Sequence, residues 1–162
     1  MYDTVIVNSI GKHLIERKQT IAAAESVTAG HLQAALSVAD NATHFFQGGI
    51  TTYSIAQKFK HLQVDPVYAL ANNGVTQQIA ETMAQQVCSL FDCDIGIGIT
   101  GYATLIPGID HLHAFFSIAH KHTVLYSGNI PSSCMESVQV QLYYTNEVLK
   151  QVLHTISDGI KI

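Results

Sequence analysis

The chain has 162 residues, of which 48% are hydrophobic and 12% charged, and a formal net charge of −4. That length suits a single domain with a sizeable core, and eight Lys+Arg scattered without a basic patch exclude nucleic acid as an expected partner. An acidic amino-terminal start and the lack of any apolar run near the roughly 20 residues of a membrane span give expectations of a cytoplasmic location and no membrane partner.

Residues 3–18 carry Val5, Ile6, Ile10, Leu14 and Ile15 at helical spacing, with Lys12, Arg17 and Lys18 towards the end, where a helix dipole favours cations. This predicts an opening amphipathic helix. Thr20 to Ala24 is too short and too continuously apolar for a surface helix and reads as a buried strand, followed by a helix over about 28–38. Ser26 and Thr28 stand at that joint. A hydroxyl where a strand turns into a helix can be a nucleophile, a phosphate ligand or a helix cap, because helix-terminal N–H groups favour anions and caps alike.

Aromatic and β-branched residues around Gly48-Gly49 suggest a second strand, 49–53, that delivers Tyr53 and Ser54. A short helix over 54–61 then carries Lys58, and Asp65-Pro66 marks a break. Asn73-Gly74 supplies a turn, and Thr76 caps a long helix through Ile79, Met83, Val87 and Leu90. Cys88 and Cys93 near its end read as buried thiols, with Cys134 a third thiol, since three cysteines cannot all pair.

Asp94 to Gly101 alternates Ile with small residues, which predicts a strand closely approached by a neighbour and ending in Thr100-Gly101. Residues 112–119 and 122–128 suggest a hairpin turning at His120-Lys121. A last helix, about 132–156, has Val138, Leu142, Val148, Leu149 and Val152 as its apolar stripe. With so few surface charges, part of its face suits a subunit contact, and a homodimer or higher oligomer is expected. The alternation predicts a three-layer α/β/α single domain with a mixed, mostly parallel sheet.

If strands 20–24, 49–53 and 95–99 are parallel neighbours, their carboxyl ends gather Ser26, Thr28, Tyr53, Lys58, Thr100 and Gly101 at one edge, where open α/β sheets place ligands. A serine nucleophile with a lysine base is one reading of that edge, provided burial lowers the lysine pKa. His111-x-His113 and His120-x-His122 place paired imidazoles on strands, but no acidic third ligand accompanies them, so no metal is expected. His31 reads as a partly exposed helix residue, Asp110 as solvated, and Glu25 as an acid that holds Lys58 or backbone N–H groups.

Ala24-Glu25-Ser26-Val27-Thr28-Ala29-Gly30 resembles the A-E-S-x-T-G-G motif of the CinA carboxy-terminal domain family, also found as stand-alone nicotinamide mononucleotide deamidase. Phe46-Gln47-Gly48-Gly49, Tyr53-Ser54 with Lys58, Gly74-Val75-Thr76, Met83-Ala84 and Thr100-Gly101-Tyr102-Ala103 extend the resemblance over about 10–156. It implies a CinA-type domain over 1–162 that hydrolyses the carboxamide of nicotinamide mononucleotide to nicotinate mononucleotide and ammonia, with no metal or other cofactor. By matching positions, Ser26 would attack, Lys58 would be the base and Tyr53 would assist proton transfer. Thr28, Gly30, Gly48, Gly49, Thr100 and Gly101 would bind the small-molecule amide or nucleotide.

The chain departs from the family at Thr104-Leu105-Ile106-Pro107-Gly108-Ile109-Asp110, where a glycine- and proline-rich loop is usual, and at Ala29 and Ala114, where glycines are usual. Pro131-Ser132-Ser133-Cys134-Met135-Glu136 replaces a G-D-R motif and lacks its arginine. Two readings follow: an amidohydrolase acting on the mononucleotide or a less anionic amide, or a relative without turnover that serves as a binding or assembly module.

Overall fold

Asp3 opens the first helix by accepting the Ile6 N–H on its carboxylate, and α1 (Thr4–Glu16) buries Val7, Ile10 and Leu14 along one face. The computed structural model describes residues 1–133 and 136–157. All five residues of β1 (Ile21–Glu25) are buried, which explains the absence of alternation: helices cover both faces. The next helix, α2 (His31–Ser37), is shorter than the expected 28–38, because Ala29 (φ 49°) and Gly30 (φ 102°) adopt left-handed conformations that no α-helix continues through.

A short 3₁₀ turn, Ala42–His44, leads into β2 (Phe46–Thr51), three residues earlier than expected. Then come α3 (Ile55–Leu62), α4 (Pro66–Ala71) and α5 (Gln77–Phe91). Asp65-Pro66 starts a helix instead of merely breaking one: the Asp65 side chain accepts the Val67 and Tyr68 N–H groups, and Pro66 occupies the first turn, where its missing N–H costs nothing. Thr76 caps α5 as expected, accepting the Ile79 N–H, although Leu90 is exposed.

The remaining elements are β3 (Ile95–Gly101), β4 (Leu112–His120), β5 (Thr123–Ser132) and α6 (Ser137–Ser157). The hairpin turns at Lys121-His122, one residue later than expected, because His120 still pairs with Thr123. β5 continues to Ser132, paired with Leu112, and so delays α6. The buried stripe of α6 runs through Val140, Tyr144, Val148, Leu149 and Val152, whereas Val138 is exposed.

The sheet order is β2-β1-β3-β4-β5. β1 is parallel to β2 and β3, whereas β3, β4 and β5 are successively antiparallel, so the sheet is mixed in equal parts. Side chains of α1, α2 and α6 pack on one face and those of α3, α4 and α5 on the other, giving three α/β/α layers. The expected close approach to β3 is made by α5: a Cβ on Gly96 would run into the Ala84 carbonyl, and one on Gly98 into that of Ala80. Among the described residues no helix is long and apolar enough to cross a membrane.

Because backbone stands opposite Gly98, Gly98→Ala is expected to lower unfolding free energy by about 2–3 kcal/mol, read by urea denaturation. Thr52, just after β2, is fully buried and its hydroxyl has no hydrogen-bond partner among the described residues. Thr52→Val is therefore expected to raise stability by about 1 kcal/mol in the same measurement, since it removes an unpaid desolvation at nearly constant shape.

Candidate functional site

β1 ends at Glu25, whose side chain is fully buried. Its Oε2 accepts the Thr28 hydroxyl and the main-chain N–H groups of Gly30 (3.1 Å) and Leu32 (3.0 Å). Oε1 accepts the main-chain N–H (2.8 Å) and the side-chain amide (3.0 Å) of Gln33. The expected preference of this helix start for an anion is thus met by the protein's own carboxylate. Glu25 pins the 26–30 turn, and that turn presents Ser26. The cap reading of Ser26 is overturned, because α2 begins at His31 and Gly30 occupies its cap position.

Lys58 arrives from α3, whose start is fixed by Ser54 accepting the Gln57 N–H. Only 2% exposed, its Nζ lies 2.8 Å from Ser26 Oγ, 2.8 Å from the Thr52 carbonyl and 3.3 Å from the Tyr53 carbonyl. These partners are neutral oxygens. Burial therefore lowers the lysine from its ordinary 10.5 to about 8. The protonated amine has three hydrogens for three acceptors. The neutral amine has two, which the carbonyls can take, leaving its lone pair for the Ser26 proton.

Ser26, Lys58, Tyr53, Thr100 and Gly101 all border one cavity of about 250 Å³ at the carboxyl ends of the parallel strands. Tyr53 is 76% exposed at its edge, and it meets Lys58 through its main-chain carbonyl. The Thr100 hydroxyl donates to the Gly74 carbonyl at 2.7 Å, tying the end of β3 to the turn before α5. Gly101 allows close pairing with β4, where a Cβ would meet Ala114 and the His113 carbonyl at 2.6 Å.

Four residues expected to bind substrate lie outside the cavity lining. Thr28 and Gly30 serve Glu25. Gly48 (φ 122°) sits against the Phe91 ring, and a Cβ on Gly49 would strike the Ala23 carbonyl and the Gln33 side chain. Sequence reasoning missed Asn73 and Gln141, which do line the cavity. Asn73 was visible as part of a turn, but Gln141 is one polar residue on a long amphipathic helix and carried no local signal.

Leu105 is exposed and outside the lining, whereas Ile106 of the divergent loop contributes to it. Asp110 is exposed as expected. His31 is half-buried and hydrogen-bonded to the Tyr2 hydroxyl at 2.8 Å. His113 packs edge-on against Tyr102 and Phe115, and the described residues include no group of three His, Cys, Asp or Glu arranged to hold a metal. Cys88 and Cys93 are buried free thiols, as expected; Cys134, and Met135 beside the missing arginine, lie outside the described residues. A larger open groove of about 680 Å³ beside α1 holds Ser9, whose hydroxyl is bonded to the Val5 carbonyl, and offers no comparable nucleophile and base.

The family model for the CinA C-terminal domain matches residues 3–108. A relative named as a competence-damage inducible protein, from Listeria welshimeri, is 46% identical over 91 residues, which are 56% of this chain and 22% of that protein. One of the same name from Streptococcus equi subsp. zooepidemicus is 48% identical over 109 residues, 65% of this chain and 26% of that protein. The matched part of the chain thus spans about a quarter or less of these relatives' length. A CinA superfamily protein from Klebsiella pneumoniae superposes with a TM-score of 0.89 over 98% of this chain and 99% of its own, at 21% identity, a likeness of fold. One from Escherichia coli gives 0.85 over 93% and 88%, at 25% identity. Since the family model covers more than half of its length, the chain belongs to the CinA C-terminal domain family.

Proposed function

We propose that residues 1–162 form one CinA carboxy-terminal-like domain that works as an amidohydrolase of the nicotinamide mononucleotide deamidase type. The observation that carries this reading is the 2.8 Å contact between Ser26 Oγ and the buried Lys58 amine, facing a cavity. Neutral Lys58 takes the hydroxyl proton as Ser26 Oγ attacks the carboxamide carbon. The resulting ammonium returns that proton to the nitrogen as the C–N bond breaks, so ammonia leaves and an acyl-serine remains. Water then attacks the ester, Lys58 again accepting a proton, and the carboxylic acid departs with Ser26 restored.

In this reading the main-chain N–H of Val27, the residue after the nucleophile and one that lines the cavity, stabilises the oxyanion. Tyr53, at the exposed edge, assists proton transfer to the leaving group. A homodimer or higher oligomer remains part of the reading, supported by the apolar side chains of Phe59, Val67 and Leu70 exposed on α3 and α4. A second reading, a binding or assembly module without turnover, is favoured by one observation: Ile106 of the divergent loop occupies part of the cavity wall.

Ammonia release from nicotinamide, its riboside and its mononucleotide separates the two. The wild type is expected to release ammonia from at least one of them, with Ser26→Ala inactive and Lys58→Met slower by about 10²-fold or more. Equal release by wild type and Ser26→Ala would sink the nucleophile assignment, and none from any amide would leave the module reading. Because the base must be neutral and Lys58 titrates near 8, kcat/KM is expected to rise with pH, reach half its maximum near pH 8 and level off above it. A profile flat between about pH 7 and 9 would count against Lys58 as the base.

A further inference from the structure

We infer that the Ser26/Lys58 cavity selects a carboxamide that carries no phosphate group. The inference rests on the amidohydrolase reading and adds the class of substrate to it. Phosphate recognition needs a cation, a set of free helix-terminal N–H groups, or both. Among the described residues the cavity offers no uncommitted cation, and the helix start nearest Ser26 already holds a carboxylate.

Lys58 is the only lysine or arginine among the described residues that line it, and its amine is already committed to three oxygens. The sequence contains a single arginine, Arg17, whose guanidinium donates to the Ile156 carbonyl. A second copy of the chain would therefore bring no other arginine. At the helix that follows Ser26, the N–H groups are already taken by the protein's own acid. Glu25 accepts those of Gly30, Leu32 and Gln33 at α2, while Ser54 takes the Gln57 N–H at α3 and Thr76 the Ile79 N–H at α5.

The walls reinforce this. Val27, Ile55, Val75 and Ile106 are apolar, so a phosphate dianion entering among them would give up hydration without gaining a counter-charge. The net charge of −4 adds a repulsive field. Asn73 and Gln141 instead supply neutral amide donors and acceptors, suited to an uncharged polar group.

Nicotinamide riboside and nicotinamide mononucleotide differ only by the phosphate and so test the point directly. With the full chain, kcat/KM for ammonia release from the riboside is expected to exceed that from the mononucleotide at least about ten-fold, with riboside turnover unaffected by millimolar inorganic phosphate. Equal or greater efficiency on the mononucleotide, or competitive inhibition by phosphate, would overturn the inference while leaving the amidohydrolase reading intact. No Ser26-dependent release from either compound would instead overturn that reading and this inference with it. Ile106→Arg, a change at a half-exposed wall position, is expected to shift the ratio about ten-fold towards the mononucleotide. An unchanged ratio in that variant would show that missing charge is not what discriminates.

Discussion

The carboxylate of Glu25 is the contact on which the site is built. A fully buried carboxylate is costly unless its oxygens are saturated, and here three main-chain N–H groups, a hydroxyl and a side-chain amide saturate them. These donors span Thr28 to Gln33, so one side chain fixes both the turn after β1 and the first turn of α2. Ser26 lies inside that loop of contacts. Its position is set by an acid it does not touch, through backbone that Ala29 and Gly30 bend in left-handed conformations.

The same arrangement keeps acid and base apart. Had Glu25 paired with Lys58, the ammonium would have been stabilised and its pKa held up. Because Glu25 is consumed by N–H groups, Lys58 faces neutral oxygens and burial alone acts on it. A low-pKa lysine thus depends on where a nearby carboxylate is directed.

Local pattern revealed most of the architecture. Thr76 announced the start of α5 by capping chemistry, and the Ile-Gly alternation of β3 announced the close approach of that helix. What stayed hidden was settled by non-local partners. The left-handed Ala29 and Gly30 shortened α2, and the pairing of Leu112 with Ser132 moved the start of α6. The Ser26–Lys58 pair was legible because Ser26 sits in the turn after β1 and Lys58 on the helix that follows β2. Gln141 was not, since its place at the cavity depends on how α6 packs. The reading of Gly48 and Gly49 as substrate contacts misjudged a small residue's role: their lack of side chains admits Phe91, Gln33 and the Ala23 carbonyl.

The sheet's two halves also differ in how they can assemble. β4 and β5 are joined across Lys121-His122, a short closure with little entropic penalty. β1 must instead find β2 across α2 and then β3 across all the intervening helices, with Ile21 meeting both Phe46 and Ile95. Pairing between distant segments is slow to form, because the chain must lose its freedom before any contact rewards it. Ser26 and Lys58 belong to that distant half, so the two meet only through pairing between segments far apart in the chain, and their contact carries the entropic cost that the hairpin avoids.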